Sequence, residues 1–308
     1  MTGDELYNHY ASRALRVTAG LMSGFVLLLS IILLLGWGTF AFGSDGKQYK
    51  KVVAVGGSVT EIIYALGEEG RLIARDSTSL YPTEATKLPD VGYIRRLSPE
   101  GVLSVEPDLV LALEGSGPPE AVAALQAADV PVIMIPEGYS AEKIEEKINA
   151  TALALGVPEK ASSLIEKIRS ELQSTSQSTM SVKDKRKVLF VLTLQGGKIM
   201  ASGTATAADG IIRLAGAENA INGFEGYKPL SDESVITAAP DVILMMTGQR
   251  GHANSDAEIL SHPAIATTPA GRNGNIIRMD GLLLLGFGPR TAQAIGELQS
   301  ELRLVETQ

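Results

Sequence analysis

The residues best placed to do chemistry sit in Leu88-Pro-Asp-Val-Gly-Tyr93-Ile-Arg95-Arg96-Leu97, a Gly- and Pro-flanked loop with one tyrosine and two arginines close behind it. A phenol ordinarily ionises near pH ~10, and a neighbouring cation or a bound metal lowers that value. The phenolate is a hard oxygen donor and can occupy an axial position on haem iron. Arg95 and Arg96 could hold carboxylates through charge-assisted bonds. The chemistry of the loop alone leaves a plainer reading open, in which the ring packs on a neighbour and the hydroxyl stays in water.

Other candidate chemistries lack their residues. Gly56-Gly57 follows an apolar strand, but no Walker lysine and no second glycine at dinucleotide-binding spacing follow it. There is no nucleophile elbow, no His/Asp/Glu cluster and only 3 histidines, so an exported hydrolase or haem-degrading enzyme has little support. The formal net charge of -8 without a basic tract argues against nucleic acid. With no cysteine there can be no disulfide framework, no thiolate metal site and no lipid anchor on a processed cysteine.

The elements that must position the loop begin after residue 43. Asp4, Glu5, Arg13 and Arg16 form a polar head, and Val17 to Gly43 carries no charge. Residues 1–43 are therefore an export signal or an N-terminal membrane anchor, with Ala41-Phe42-Gly43 as a small-x-small cleavage site. Beyond them an internal repeat organises the chain. Leu97-Ser-Pro-Glu100-Gly-Val102, leading to Pro107-Asp108-Leu-Val-Leu111, aligns without gaps on Leu230-Ser-Asp-Glu233-Ser-Val235, leading to Pro240-Asp241-Val-Ile-Leu244, at an offset of 133. Each copy reads as a short helix opened by a serine cap, a proline stop and a buried strand. Strands at Val52–Val55, Leu109–Leu113, Val132–Ile135, Val188–Thr193, Val242–Met246 and Ile276–Met279 alternate with helices at Pro118–Ala128 and Ala205–Ala215. Ser58-x-x-Glu61 is expected to form a capping box, and Pro289 to start a last helix reaching Leu304. The fold class is α/β, with two Rossmann-like lobes, each on a mostly parallel sheet, at 50–140 and 185–308. The 141–180 segment, with Ile144, Ile148, Leu164, Ile165, Ile168 and Leu172 at helical spacing, supplies a single long helix joining the lobes across a ligand cleft.

Six blocks of this chain resemble the helix-linked (class III) periplasmic substrate-binding proteins of ABC importers, and most of all those for haem. They are Gly56-Gly57-Ser58 through Gly67, Ala74-Arg75-Asp76 through Pro82, Leu88 through Arg95, Tyr227-Lys228-Pro-Leu-Ser231, Thr268-Pro-Ala-Gly271 and Leu284-Leu-Gly-Phe-Gly288. The resemblance implies a periplasmic protein that captures haem b (Fe-protoporphyrin IX) as a transported ligand and hands it to an inner-membrane permease dimer. It implies Tyr93 as the axial iron ligand supported by Arg95, with Arg96 a weaker match. Siderophore or cobalamin carriage within the class, or a membrane-tethered haem scavenger, are the alternatives.

The repeat offset sets Lys228 opposite Arg95, so Lys228 is either a propionate contact or a surface lysine. His252, just past a strand, is either a second ligand or a surface-loop histidine. The second-lobe loop Thr193-Leu194-Gln195-Gly196-Gly197 lacks the histidine that binds a second haem in some relatives, so one haem is expected. Glu100 and Glu233, equivalent in the repeat, are implied docking contacts to the two permease subunits. They would also complement their helix dipoles.

Overall fold

The computed structural model describes residues 48–176, 185–247 and 254–305. The expected export segment at 1–43 and His252 lie outside the described residues. Lys47–Gln308 forms one compact unit. Two sheets, each the centre of a lobe, organise it.

The first lobe is built on four parallel strands in the order β2-β1-β5-β6: β1 (Val52–Val55), β2 (Leu72–Arg75), β5 (Leu109–Leu113) and β6 (Val132–Ile135). β1 and β5 are buried along their whole length, as apolar runs covered on both faces must be. A two-stranded hairpin, β3 (Gly92–Tyr93) with β4 (Arg96–Leu97), stands beside this sheet. The second lobe differs from the expected mostly parallel sheet. β7 (Lys187–Gln195) pairs in parallel with β9 (Glu218–Asn219) and β11 (Val242–Met246), and β11 with β12 (Ile276–Met279). On the side away from β11, along the same edge as β9, β7 folds back antiparallel onto β8 (Lys198–Ser202), which pairs with β10 (Tyr227–Pro229). The turn is Gly196-Gly197, both at positive φ (56° and 73°), a two-residue hairpin connection that needs glycine.

The repeat is visible in the coordinates. Helices α2 (Pro99–Leu103) and α6 (Asp232–Ala238) open on Ser98 and Ser231, whose side chains accept from Gly101 N and Ser234 N. β5 and β11 follow at the same offset. Asp108 accepts from the Lys50 and Lys51 amides at 2.8 and 2.9 Å, and Asp241 from the Lys187 amide at 2.8 Å, so each carboxylate closes the start of its lobe's central strand pair.

The linking segment is two helices, α3 (Ala141–Ala154) and α4 (Pro158–Ser176), broken where Gly156 takes φ 72° ahead of Pro158. The 19-residue α4 is the long joining helix, and α3 packs between it and the first lobe. α1 (Gly57–Ala65) begins one residue before Ser58, with Gly56 at its cap in a positive-φ conformation and no side-chain cap. The expected capping box does not form because its members have stronger partners. Ser58 Oγ meets Lys147 at 3.4 Å, and Glu61 is held bidentately by Arg290 at 2.9 and 2.6 Å. The last helix, α7 (Thr291–Leu304), starts two residues after Pro289. α5 is Ala207–Leu214. One apolar core runs through both lobes, from Val52 and Leu111 to Phe190, Leu244 and Leu298. A second cluster, including Leu189, Val191 and Ile243, covers the other face of the second sheet, as the two-residue alternation along β7 requires.

Candidate functional site

Tyr93 is presented by a short, heavily tied loop. Arg75 and Asp90 form an ion pair at 2.8 Å, and Asp90 also accepts from the Gly92 amide at 2.9 Å. Gly92 sits at φ 106°, and its carbonyl accepts from Ser77 N at 2.8 Å. Ile94 and Arg95 make the two-residue turn between β3 and β4; Ile94 is buried, whereas Tyr93 and Arg95 are exposed. Tyr93 is 51% exposed. Arg95 donates from Nη1 to the Gly115 carbonyl at 2.5 Å, which steadies a guanidinium that is otherwise exposed.

Both side chains line a cavity of about 900 Å³ between the two sheets. The first lobe contributes polar groups, among them Ser77, Thr78, Glu137 and Tyr139, while Leu192, Met245, Met246, Leu282 and Leu285 make the far wall largely apolar. Three tyrosines face this space and they are not alike. Burial, followed by the nearby Glu137, pushes the Tyr139 phenol up to about 12. Burial also raises Tyr227, against hydrogen bonds from Thr206 and the Ala208 amide. Their rings pack edge-on, Tyr139 against Phe287 at 5.3 Å and Tyr227 against Phe190 at 6.3 Å. These two phenols are walls held in the protonated form. Tyr93 projects freely.

The floor is held by a fully buried lysine. Lys147 of α3 reaches Glu137 at 3.3 Å, Ser58 at 3.4 Å and the Phe287 carbonyl at 3.2 Å, so one ammonium touches both lobes and the linking segment. Burial lowers its pKa, while Glu137 works in the other direction.

The remaining sequence candidates are placed as follows. Arg96 is exposed on β4 and is not among the residues lining the cavity. Lys228 also lies off the cavity, exposed on β10 with its ammonium 5.2 Å from the centre of the Phe224 ring. Glu100 and Glu233 are exposed in the first turns of α2 and α6. The Glu100 carboxyl is held low by the Ser98 hydroxyl and its own amide, that of Glu233 by its own amide and Ser231. The sequence reading missed Glu137, Tyr139, Tyr227 and Arg278. Tyr227 was within reach, since it adjoins Lys228 in a strand and successive side chains face opposite ways. Lys147 carried no signal in the sequence. It looks like one more polar position on an amphipathic helix.

Residues 52–282 match a family described as periplasmic binding protein. The chain belongs to the periplasmic binding protein family. It is a substrate-binding protein and not an enzyme. Its fold is similar to that of the periplasmic heme-binding protein BhuT, solved in complex with two hemes, at a TM-score of 0.78 and 38% identity over 83% of this chain and 98% of that one. It is 26% identical to an uncharacterized ABC transporter substrate-binding lipoprotein, YvrC, of Bacillus subtilis, over 83% of this chain and 81% of that protein. It is also 26% identical to the vitamin B12-binding protein of Yersinia pestis, over 71% of this chain and 74% of that protein. Among the described residues no helix is long and apolar enough to cross a membrane.

Proposed function

We propose that this periplasmic binding protein captures haem in the cleft between its sheets and delivers it to an ABC importer. The observation that carries this reading is the contrast between Tyr93 and the other two cleft tyrosines. Iron in a porphyrin arrives with four nitrogen ligands, so one protein oxygen suffices to hold it, and a hard phenolate suits Fe(III). Tyr93 stands half-exposed in the cavity with Arg95 beside it, whereas burial disfavours ionisation of Tyr139 and Tyr227. The apolar wall of Leu192, Met246, Leu282 and Leu285 offers a surface for the macrocycle, and Arg95 a charge for one propionate. One haem is expected, because the cleft residue Thr193 and the loop that follows it contain no histidine. Glu100 and Glu233, on equivalent helices of the two lobes, are the proposed contacts to basic residues of the two permease subunits.

Titration of the purified protein with hemin, followed by absorbance, tests the reading. One equivalent should give a high-spin ferric–phenolate spectrum that Tyr93→Phe abolishes. An unchanged spectrum and affinity in that variant would remove Tyr93 as the ligand. Saturation at two equivalents would reject the single-haem proposal. Cobalamin in a parallel titration addresses the likeness to the vitamin B12-binding protein, and tight binding of it with none of hemin would overturn the proposal.

A further inference from the structure

Arg278 stands on the wall opposite Arg95. Its neighbours on β12, Ile277 and Met279, are buried, so strand alternation turns Arg278 to the other face, where it lines the cavity. Two bonds fix the guanidinium: Nε donates to Asp256 Oδ1 at 2.7 Å and Nη2 to the Asn254 carbonyl at 2.6 Å. The Asp256 side chain is 60% exposed, and a solvated carboxylate neutralises its partner only weakly. Among the described lining residues the charged side chains are Arg95, Glu137 and Arg278. Glu137 is already joined to Lys147. The cleft thus presents two arginines, one from each lobe, while Lys228 rests on Phe224 away from the cavity.

We infer that Arg278 is the second-lobe anchor for an anionic group, so that the cleft selects a flat, apolar ligand bearing two separated carboxylates. Arg95 takes one carboxylate and Arg278 the other. This rests on the haem reading, and adds to it the group that fixes how the ligand is turned within the cleft. It also separates haem from an equally large ligand with a neutral periphery, which would leave both guanidinium groups without a new partner.

The test compares hemin with hemin dimethyl ester, which keeps the iron and ring but lacks both negative charges. The wild-type protein should bind hemin more tightly than the diester. Arg278→Gln should weaken hemin by about tenfold or more, the scale of a lost charge-assisted bond. Its diester affinity and its ferric–phenolate spectrum at saturation should not change, and Arg278→Lys should recover part of the loss. Equal weakening of both ligands would make Arg278 a packing residue and overturn the inference. An unchanged hemin affinity in Arg278→Gln would overturn it as well, and so would a wild type that does not distinguish the two ligands, although haem capture itself would stand in either case. Failure of the wild type to bind hemin at all would remove the haem reading and this inference together.

Discussion

Glu61 and Arg290 form a bidentate pair beneath the cleft, and removing the arginine should produce a destabilisation whose size depends on pH. Glu61 belongs to α1 of the first lobe and Arg290 to the turn before the last helix, and the Glu61 side chain is only 5% exposed. Burial raises the Glu61 carboxyl above its ordinary 4.5, and the hydrogen bond and charge of Arg290 pull it back down. In Arg290→Met the burial and the smaller push from the Asp280 charge remain, so the folded-state value rises further. A group whose folded pKa is raised favours the folded state below its unfolded pKa and loses that advantage as pH climbs towards the folded value. The buried carboxylate can escape its missing partner by taking a proton, which sets a ceiling on the ionic penalty. Starting from 4.5, that ceiling at pH 7 is 2.5 pH units at ~1.36 kcal/mol each, or about 3.4 kcal/mol; at pH 5 it is about 0.7 kcal/mol.

A chain of this size loses roughly 2–4 °C of Tm per kcal/mol. The ionic part should therefore lower the melting temperature by at most about 7–14 °C at pH 7, and that part of the gap should nearly close at pH 5. A smaller, pH-independent loss accompanies it, because the Arg290 guanidinium also lies 3.6 Å above the centre of the Tyr81 ring. Thermal melts followed by circular dichroism at the two pH values measure both parts. Glu61→Gln combined with Arg290→Met should abolish the pH dependence while keeping the Tyr81 term. A gap of equal size at pH 5 and pH 7 in the single variant would refute the reasoning, since it would mean that Glu61 is not effectively desolvated.

Lys147→Met should lower the denaturant midpoint by an amount equivalent to about 2–3 kcal/mol, because Glu137, Ser58 and the Phe287 carbonyl would each lose a donor inside the protein. An unchanged midpoint would show that the cost of desolvating the ammonium cancels those three contacts. Glu100→Lys with Glu233→Lys should leave the melting temperature and hemin affinity within error of wild type, since both side chains are exposed, and should abolish stimulation of the importer's ATPase. Intact stimulation would exclude these residues from docking.

The scaffold was legible in the sequence because its signals are local and repeated. The Ser-x-Glu and Pro-Asp pairs that start at Leu97 and Leu230 cap two helices and close two strand starts at one offset. The joining helix was readable as well, from the apolar spacing of Leu164, Ile165, Ile168 and Leu172. The sequence was misread where a partner distant in the chain takes over a local motif. Ser58 and Glu61 have the spacing of a capping box, yet Lys147 and Arg290, 89 and 229 residues away, hold them instead. The antiparallel half of the second sheet escaped notice although Gly196-Gly197 announces its turn, because the glycines were weighed only as the site of a missing histidine.

The repeat offset left Lys228 either as a propionate contact or as a surface lysine, and its ammonium lies off the cavity over Phe224. The offset of 133 sets Tyr227 against Ile94 and Lys228 against Arg95. In the first lobe Ile94 and Arg95 form the turn of the β3–β4 hairpin, and both line the cavity. In the second lobe the corresponding segment is β10, tied antiparallel to β8, an element without a counterpart in the first sheet. Equivalent positions in a turn and in a strand need not share a facing, and along β10 Tyr227 faces the cleft while Lys228 faces outward. The two lobes also differ in the phenols they offer. The phenol that the second lobe turns inward is bonded by Thr206 and the Ala208 amide, and desolvation raises its pKa although the residue is 38% exposed. The first lobe's Tyr93 remains the projecting phenol, with an arginine two residues away. The proposed donor thus lies on one lobe and the other supplies an apolar wall with one arginine, an arrangement suited to a ligand with one metal, a flat apolar ring and charged groups at its edge.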